Sequence, residues 1–103
     1  MFDFIKKLFG GKTVDLKELY VNGAQIIDVR TPAEFSNGHI KQSKNIPLQE
    51  LVSEMKKLDV KKPIITCCAS GMRSASAKSL LQQNGFEVHN GGGWASLQNK
   101  LNK

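Results

Sequence analysis

The sequence predicts an α/β fold, a parallel sheet with helices on both faces, and three observations carry the prediction. "QIIDV" (Gln25 to Val29) and "PIITC" (Pro63 to Cys67) are short, almost wholly apolar runs rich in β-branched residues, as in strands buried on both faces. Amphipathic stretches at helical spacing separate the strand-like runs. Strand and helix alternate along the chain, the order that winds a parallel sheet with its ligands at the carboxyl ends of the strands.

The elements follow in order. In "MFDFIKKLFGGK", Phe2, Phe4, Ile5, Leu8 and Phe9 recur at roughly helical spacing around Lys6 and Lys7, and Gly10-Gly11 closes the run. Residues 1–12 are therefore set apart as an amphipathic N-terminal segment, and residues 13–103 as the domain. Packing of that segment on the domain is favoured over membrane contact by residues 1–9. "VDLKELY" is a short helix with Asp15 as N-cap and Glu18 three residues on. "TPAEF" starts a second helix, with Thr31 as N-cap, Pro32 at the first position and Glu34 at the third. Asn37-Gly38 stops it. "KNIP" holds at most a very short strand. "PLQELVSEMKKL" puts Leu48, Leu51, Val52, Met55 and Leu58 on one helical face. After "PIITC" and a loop of small residues comes a helix through Leu80, Leu81 and Asn84, ended by Gly85 with Phe86 as its hydrophobic contact. "FEVHN" is another strand, and "GGGW" turns the chain into a last helix carrying Trp94, Leu97 and Leu101.

The length, 103 residues, suits one domain. The net charge of +6 favours anionic substrates or partners, but no aromatic and basic stripe accompanies it, so nucleic-acid binding is not expected. No apolar run approaches the length of a membrane span, and the start lacks the apolar core of a signal peptide. The expected location is the cytoplasm, and a monomer is expected. Two adjacent cysteines cannot staple a small secreted fold, and in a reducing compartment a cysteine is catalytic, metal-binding or merely buried. Four-ligand metal spacing is absent, and His39 and His89 lie far from the pair in sequence, so neither a metal nor another cofactor is expected.

"TCCASGMRS" (Thr66 to Ser74) carries the chemistry. A helix N-terminus and nearby positive charge lower a thiol's pKa, and this loop supplies both. Ala69, Ser70 and Gly71 are small enough for successive backbone N–H groups to turn inward as an anion nest. Arg73 adds a cation suited to bidentate pairing with an oxyanion, and Ser74 can donate to the loop or cap the helix. Such a site supports acyl, phosphoryl or sulfur transfer through a covalent cysteine intermediate. A buried cysteine followed by a plain connecting turn is the structural alternative.

The sequence resembles single-domain rhodanese-like (thiosulfate sulfurtransferase-like) proteins from about Val14 to Lys100. The resemblance is carried by "IIDVRTPAEFSNGHI", "KNIP", "CASGMRS", "NGF" and "GGGW", in the family's order and spacing. It implies a three-layer fold around a mostly parallel five-stranded sheet. It also implies a catalytic cysteine three residues before a glycine and five before an arginine, which here is Cys68, with Gly71 and Arg73. The active loop would then run Cys68, Ala69, Ser70, Gly71, Met72, Arg73 and bind the transferred sulfur. The implied reaction passes a sulfane sulfur from a small anionic donor (thiosulfate, a polysulfide or a persulfide) through a Cys68 persulfide to an acceptor, cyanide or a thiol, a protein thiol included.

Counting from Cys67 instead gives C-x5-R, the spacing of cysteine phosphatases and some arsenate reductases, although Thr66 stands where those enzymes usually carry histidine. A non-catalytic docking module is the remaining alternative. Cys67 departs from the family pattern and reads as a small buried hydrophobe, with resolution of the Cys68 persulfide as the lesser reading. Asp28, Arg30 and Glu34 are read as structural support, Asp28 anchoring backbone and Arg30 pairing with Glu34, whose carboxylate also serves the capping box. Ser74 joins that supporting set. His39 is read as a hydrogen-bonded structural histidine and Trp94 as core or pocket rim.

Overall fold

The structure, a computed structural model, describes residues 14–103. The N-terminal segment 1–12 lies outside the described residues. The elements in chain order are α1 (Leu16–Val21), β1 (Gln25–Asp28), α2 (Pro32–Ser36), β2 (Lys44–Asn45), α3 (Leu51–Glu54), β3 (Ile64–Cys68), α4 (Met72–Gln83), β4 (Val88–Gly93) and α5 (Trp94–Leu101). The strands pair in the order β2-β1-β3-β4, and every pairing is parallel. Among the described residues the sheet therefore has four strands, where the resemblance implied five. These four coincide with the four strand-like runs of the sequence, and helices and their connections take up the rest.

The period-two alternation of the two central strands divides the core. Ile27, Val29, Ile64 and Cys68 join Leu51, Met55, Ala77 and Leu81 on one face, under α3 and α4. Ile26, Ile65 and Cys67 join Ala24, Leu97 and Leu101 on the other, under α1 and α5. The adjacent cysteines thus belong to opposite faces of the sheet.

Local chemistry explains most boundaries. Asp15 caps α1 by accepting from the Glu18 N–H at 3.2 Å. Thr31 and Glu34 form a reciprocal capping box at the start of α2, with Pro32 beside it. At the end of α4, Gly85 is left-handed (φ 91°), its N–H donates to the Gln82 carbonyl, and the Phe86 N–H donates back to Leu81. That pair of bonds is a Schellman stop.

Two expectations are corrected. "PLQELVSEMKKL" is not one continuous helix: α3 is a single turn flanked by 3-10 turns at Leu48–Glu50 and Met55–Lys57. Leu51, Met55 and Leu58 are buried, but Val52 is 64% exposed. Leu51 takes the core position, and its neighbour, about 100° further round, faces solvent. Nor does the glycine run end the fourth strand. β4 continues through Gly93, which pairs with Cys68 across a bulge opposite Thr66 and Cys68. Gly92, at φ 81°, accommodates the extra residue.

Candidate active site

β3 ends at Cys68, and the chain turns through Ala69, Ser70 and Gly71 into α4. Gly71 is the N-cap residue and is left-handed (φ 107°), a conformation that a side chain would resist. It turns the backbone inward, so that the Gly71 N–H donates to Cys68 Sγ at 3.0 Å and the Ser74 N–H, from the first turn of α4, donates at 3.3 Å. The amide nest is therefore closed on the sulfur itself. Cys68 is fully buried, while Ala69, Ser70 and Met72 form the exposed outer rim. Attack on an incoming molecule requires the loop to part around Sγ.

Ser74 is buried and links the sulfur to β4. The Cys68 thiol donates to Ser74 Oγ at 3.4 Å, and Ser74 Oγ lies 2.6 Å from Asn90 Oδ1 and 3.0 Å from the Gly71 carbonyl. A hydroxyl has one hydrogen to give. With a neutral thiol that hydrogen goes to Asn90 or Gly71, and with a thiolate it turns to sulfur. The Asn90 amide is itself fixed, accepting from the Gly92 N–H at 2.9 Å and donating to the Gly71 carbonyl at 3.3 Å. Thr66 Oγ1 donates to the Ser74 carbonyl at 2.9 Å and ties the same turn back to β3.

These contacts separate the two thiols electrostatically. Burial alone pushes the Cys68 thiol up, but hydrogen bonds from the Ser74 hydroxyl and from the N–H groups of Ser74, Gly71 and Ser70 outweigh it, leaving the thiol below its ordinary value. Burial pushes Cys67 up to about 12, with the Asp28 carboxylate adding to the shift. Cys67 and Asp28 are register partners across β3 and β1.

The charged residues pair differently from the sequence reading. Arg30 does not pair with the Glu34 carboxylate. Its guanidinium is clamped by Asp28, with Nη2 donating to Oδ2 at 2.8 Å and Nε to Oδ1 at 2.9 Å. From Glu34 it reaches only the backbone carbonyl, at 3.2 Å, and it also donates to the Gly38 carbonyl at 2.7 Å. It lies over the Trp94 ring, 4.8 Å from the centroid. Asp28 is close in sequence, fully buried and needs a cation, so it takes the arginine. The Glu34 carboxylate goes to Arg73 instead, at 2.8 and 3.0 Å, while keeping its capping-box bonds. The Arg73 fork is thus occupied by Glu34. The His39 ring bonds the Phe35 carbonyl at 2.7 Å and stacks on the Phe35 ring, and His89 pairs with Glu87.

Asn90 and Gly93 are the site residues that sequence reasoning missed. A polar residue at the carboxyl end of a strand next to a glycine run was the available signal. A Cβ on Gly93 would lie 2.9 Å from the Ala69 carbonyl oxygen, so the glycine lets β4 run against the loop. Gly93→Ala is expected to cost about 1–3 kcal/mol of stability and, by displacing the loop amides, to move Cys68 ionisation to higher pH. Thermal melting and the pH profile of Cys68 alkylation check the two effects separately.

The family model described as Rhodanese-like domain matches residues 12–100. The chain is 41% identical over 68 residues to the Uncharacterized protein YqhL of Bacillus subtilis, an alignment covering 65% of this chain and 54% of that protein. It is 34% identical over 71 residues to Thiosulfate sulfurtransferase GlpE of Pseudomonas aeruginosa, covering 69% of this chain and 64% of that one. The chain thus spans between half and two thirds of the length of these curated relatives. The crystal structure of a rhodanese-related protein from Thermoplasma volcanium superposes with a TM-score of 0.72 at 32% identity, covering 86% of this chain and 91% of that one. Among the described residues no helix is long and apolar enough to cross a membrane.

Proposed function

The chain belongs to the rhodanese-like domain family, and from that premise we propose that it is a sulfurtransferase working through a persulfide on Cys68. The thiolate attacks the sulfane sulfur of thiosulfate, a polysulfide or a persulfide. The donor's S–S bond breaks, its bond pair leaves with sulfite or a thiolate, and the sulfane sulfur stays on Cys68. A thiophilic acceptor, cyanide or a thiol, then takes that sulfur and returns the Cys68 thiolate. Both steps are exchanges at sulfur and balance without an added oxidant or cofactor. A cytoplasmic setting would supply thiol acceptors, and a protein thiol belongs to the same class.

The observation that carries the reading is the convergence of the Gly71 and Ser74 N–H groups on Cys68 Sγ at 3.0 and 3.3 Å. Those donors stabilise charge on sulfur, whether thiolate or persulfide. The same geometry counts against phosphate or arsenate chemistry from Cys67, whose thiol belongs to the opposite face of the sheet and is held neutral.

Intact-mass measurement after incubation with thiosulfate, polysulfide or glutathione persulfide tests the proposal. The expected result is one added sulfur atom per chain, removed by cyanide. No gain of mass with any of the three donors would favour a docking module.

A further inference from the structure

The guanidinium that the active loop carries is not available as a free cation. Arg73 Nη1 and Nη2 donate to Glu34 Oε1 and Oε2 at 2.8 and 3.0 Å. Glu34 Oε1 also accepts from the Thr31 N–H at 2.9 Å and from Thr31 Oγ1 at 3.1 Å, so the capping box of α2 fixes the carboxylate in place. Both side chains are about one-third exposed (36% and 37%), which puts the pair at the surface, where a small anion would meet it. Beside Arg73 opens a cleft of about 130 Å3, lined also by Val29, Thr31, Pro47, Leu48 and Gln49. Its walls are largely aliphatic and carry no acidic side chain.

We infer that Glu34 is a specificity-determining residue: by holding Arg73 in a neutral pair it turns the site from inorganic thiosulfate toward low-molecular-weight organic persulfides, whose carbon tail fits the cleft beside Arg73. The inference rests on the sulfurtransferase reading above and names its donor class. The charge arithmetic separates the two donors. Attack of the Cys68 thiolate on thiosulfate brings two negative charges onto one and expels sulfite as a dianion. Attack on an organic persulfide whose tail carries no net charge, R–S–SH or R–S–S⁻, adds at most one negative charge, and the R–S⁻ group leaves with the bond pair while the sulfane sulfur stays on Cys68. The thiosulfate reaction therefore gains more from a free cation, and the Arg73–Glu34 pair withholds one. Arg73, with the Thr31 donors, holds Glu34 at about 2, so the carboxylate stays charged throughout the neutral range.

The test uses the whole chain with thiosulfate and with cysteine persulfide, whose ammonium and carboxylate cancel, as donors and one fixed thiol acceptor, kcat/KM being measured for each donor. Wild type is expected to favour the persulfide. Glu34→Gln keeps a capping-box acceptor and removes the charge, and it is expected to raise the thiosulfate-to-persulfide ratio of kcat/KM about fivefold or more. A wild-type preference for thiosulfate, or a ratio that Glu34→Gln leaves unchanged, overturns the assignment to Glu34. Failure of wild-type Cys68 to gain sulfur from either donor is a separate outcome, and it overturns the sulfurtransferase reading and this inference together.

Discussion

Cys68→Ser is expected to abolish persulfide formation and sulfur transfer, while Cys67→Ser keeps most of both. The two thiols are neighbours in sequence but face different surroundings. Cys68 Sγ receives the loop and helix N–H groups and lies below its ordinary pKa. Cys67 packs with Ile26, Ile65 and Leu97 and is pushed up to about 12. Since the thiolate is the nucleophile, Cys68, whose surroundings favour ionisation, is the better placed of the two to react. Alkylation followed by peptide mass mapping should show Cys68 modified with a midpoint below the ordinary thiol range and Cys67 unmodified until the protein unfolds. The sign for stability follows from the direction of the shift. A thiol depressed in the folded state adds stability above its unfolded pKa, and the gain is lost as pH falls through the folded value. Cys68→Ser should therefore flatten the stability profile between those two values. Retention of transfer in Cys68→Ser with loss in Cys67→Ser would reverse the assignment and restore the C-x5-R register.

Much of this arrangement was legible in the sequence because the signals are local. Thr31, Pro32 and Glu34 lie within one helical turn, and their capping box formed as the spacing predicts. Gly85 and Phe86 ended α4 as their positions predict. The buried β-branched runs became β1 and β3. What was not legible depends on contacts between distant segments. Arg73 and Glu34 are 39 residues apart, and nothing in either neighbourhood announces the pair. Asn90 reaches Ser74 only because β4 runs beside β3, and β4 runs that far only because Gly93 offers no Cβ to collide with Ala69. Arg30 had two acidic candidates, Asp28 and Glu34. Strand periodicity alone does not say which carboxylate is buried and must be neutralised.

That buried carboxylate carries the largest expected effect on stability. Asp28 is fully buried, and Arg30 is 4% exposed. Asp28 Oδ1 accepts from the Arg30 backbone N–H at 3.1 Å as well as from Nε, so the residue joins strand end, guanidinium and turn. Asp28→Ala leaves a buried guanidinium whose remaining partners are the Glu34 and Gly38 carbonyls and the Trp94 ring. Removing one partner of a buried pair costs about 3–5 kcal/mol, a large share of the roughly 5–15 kcal/mol that holds a domain folded. Asp28→Ala should accordingly lower the denaturation midpoint steeply, as read by chemical unfolding. The double variant Asp28→Ala with Arg30→Met should recover part of the loss, because it removes the stranded charge while keeping an apolar chain against Trp94. Additive losses in the double variant would mean that the two residues stabilise the fold independently. Recovery would mean that Arg30 depends on Asp28 for its place in the core. In that case the strand-end aspartate serves the scaffold, and the chemistry belongs to the thiol on the opposite face of the sheet.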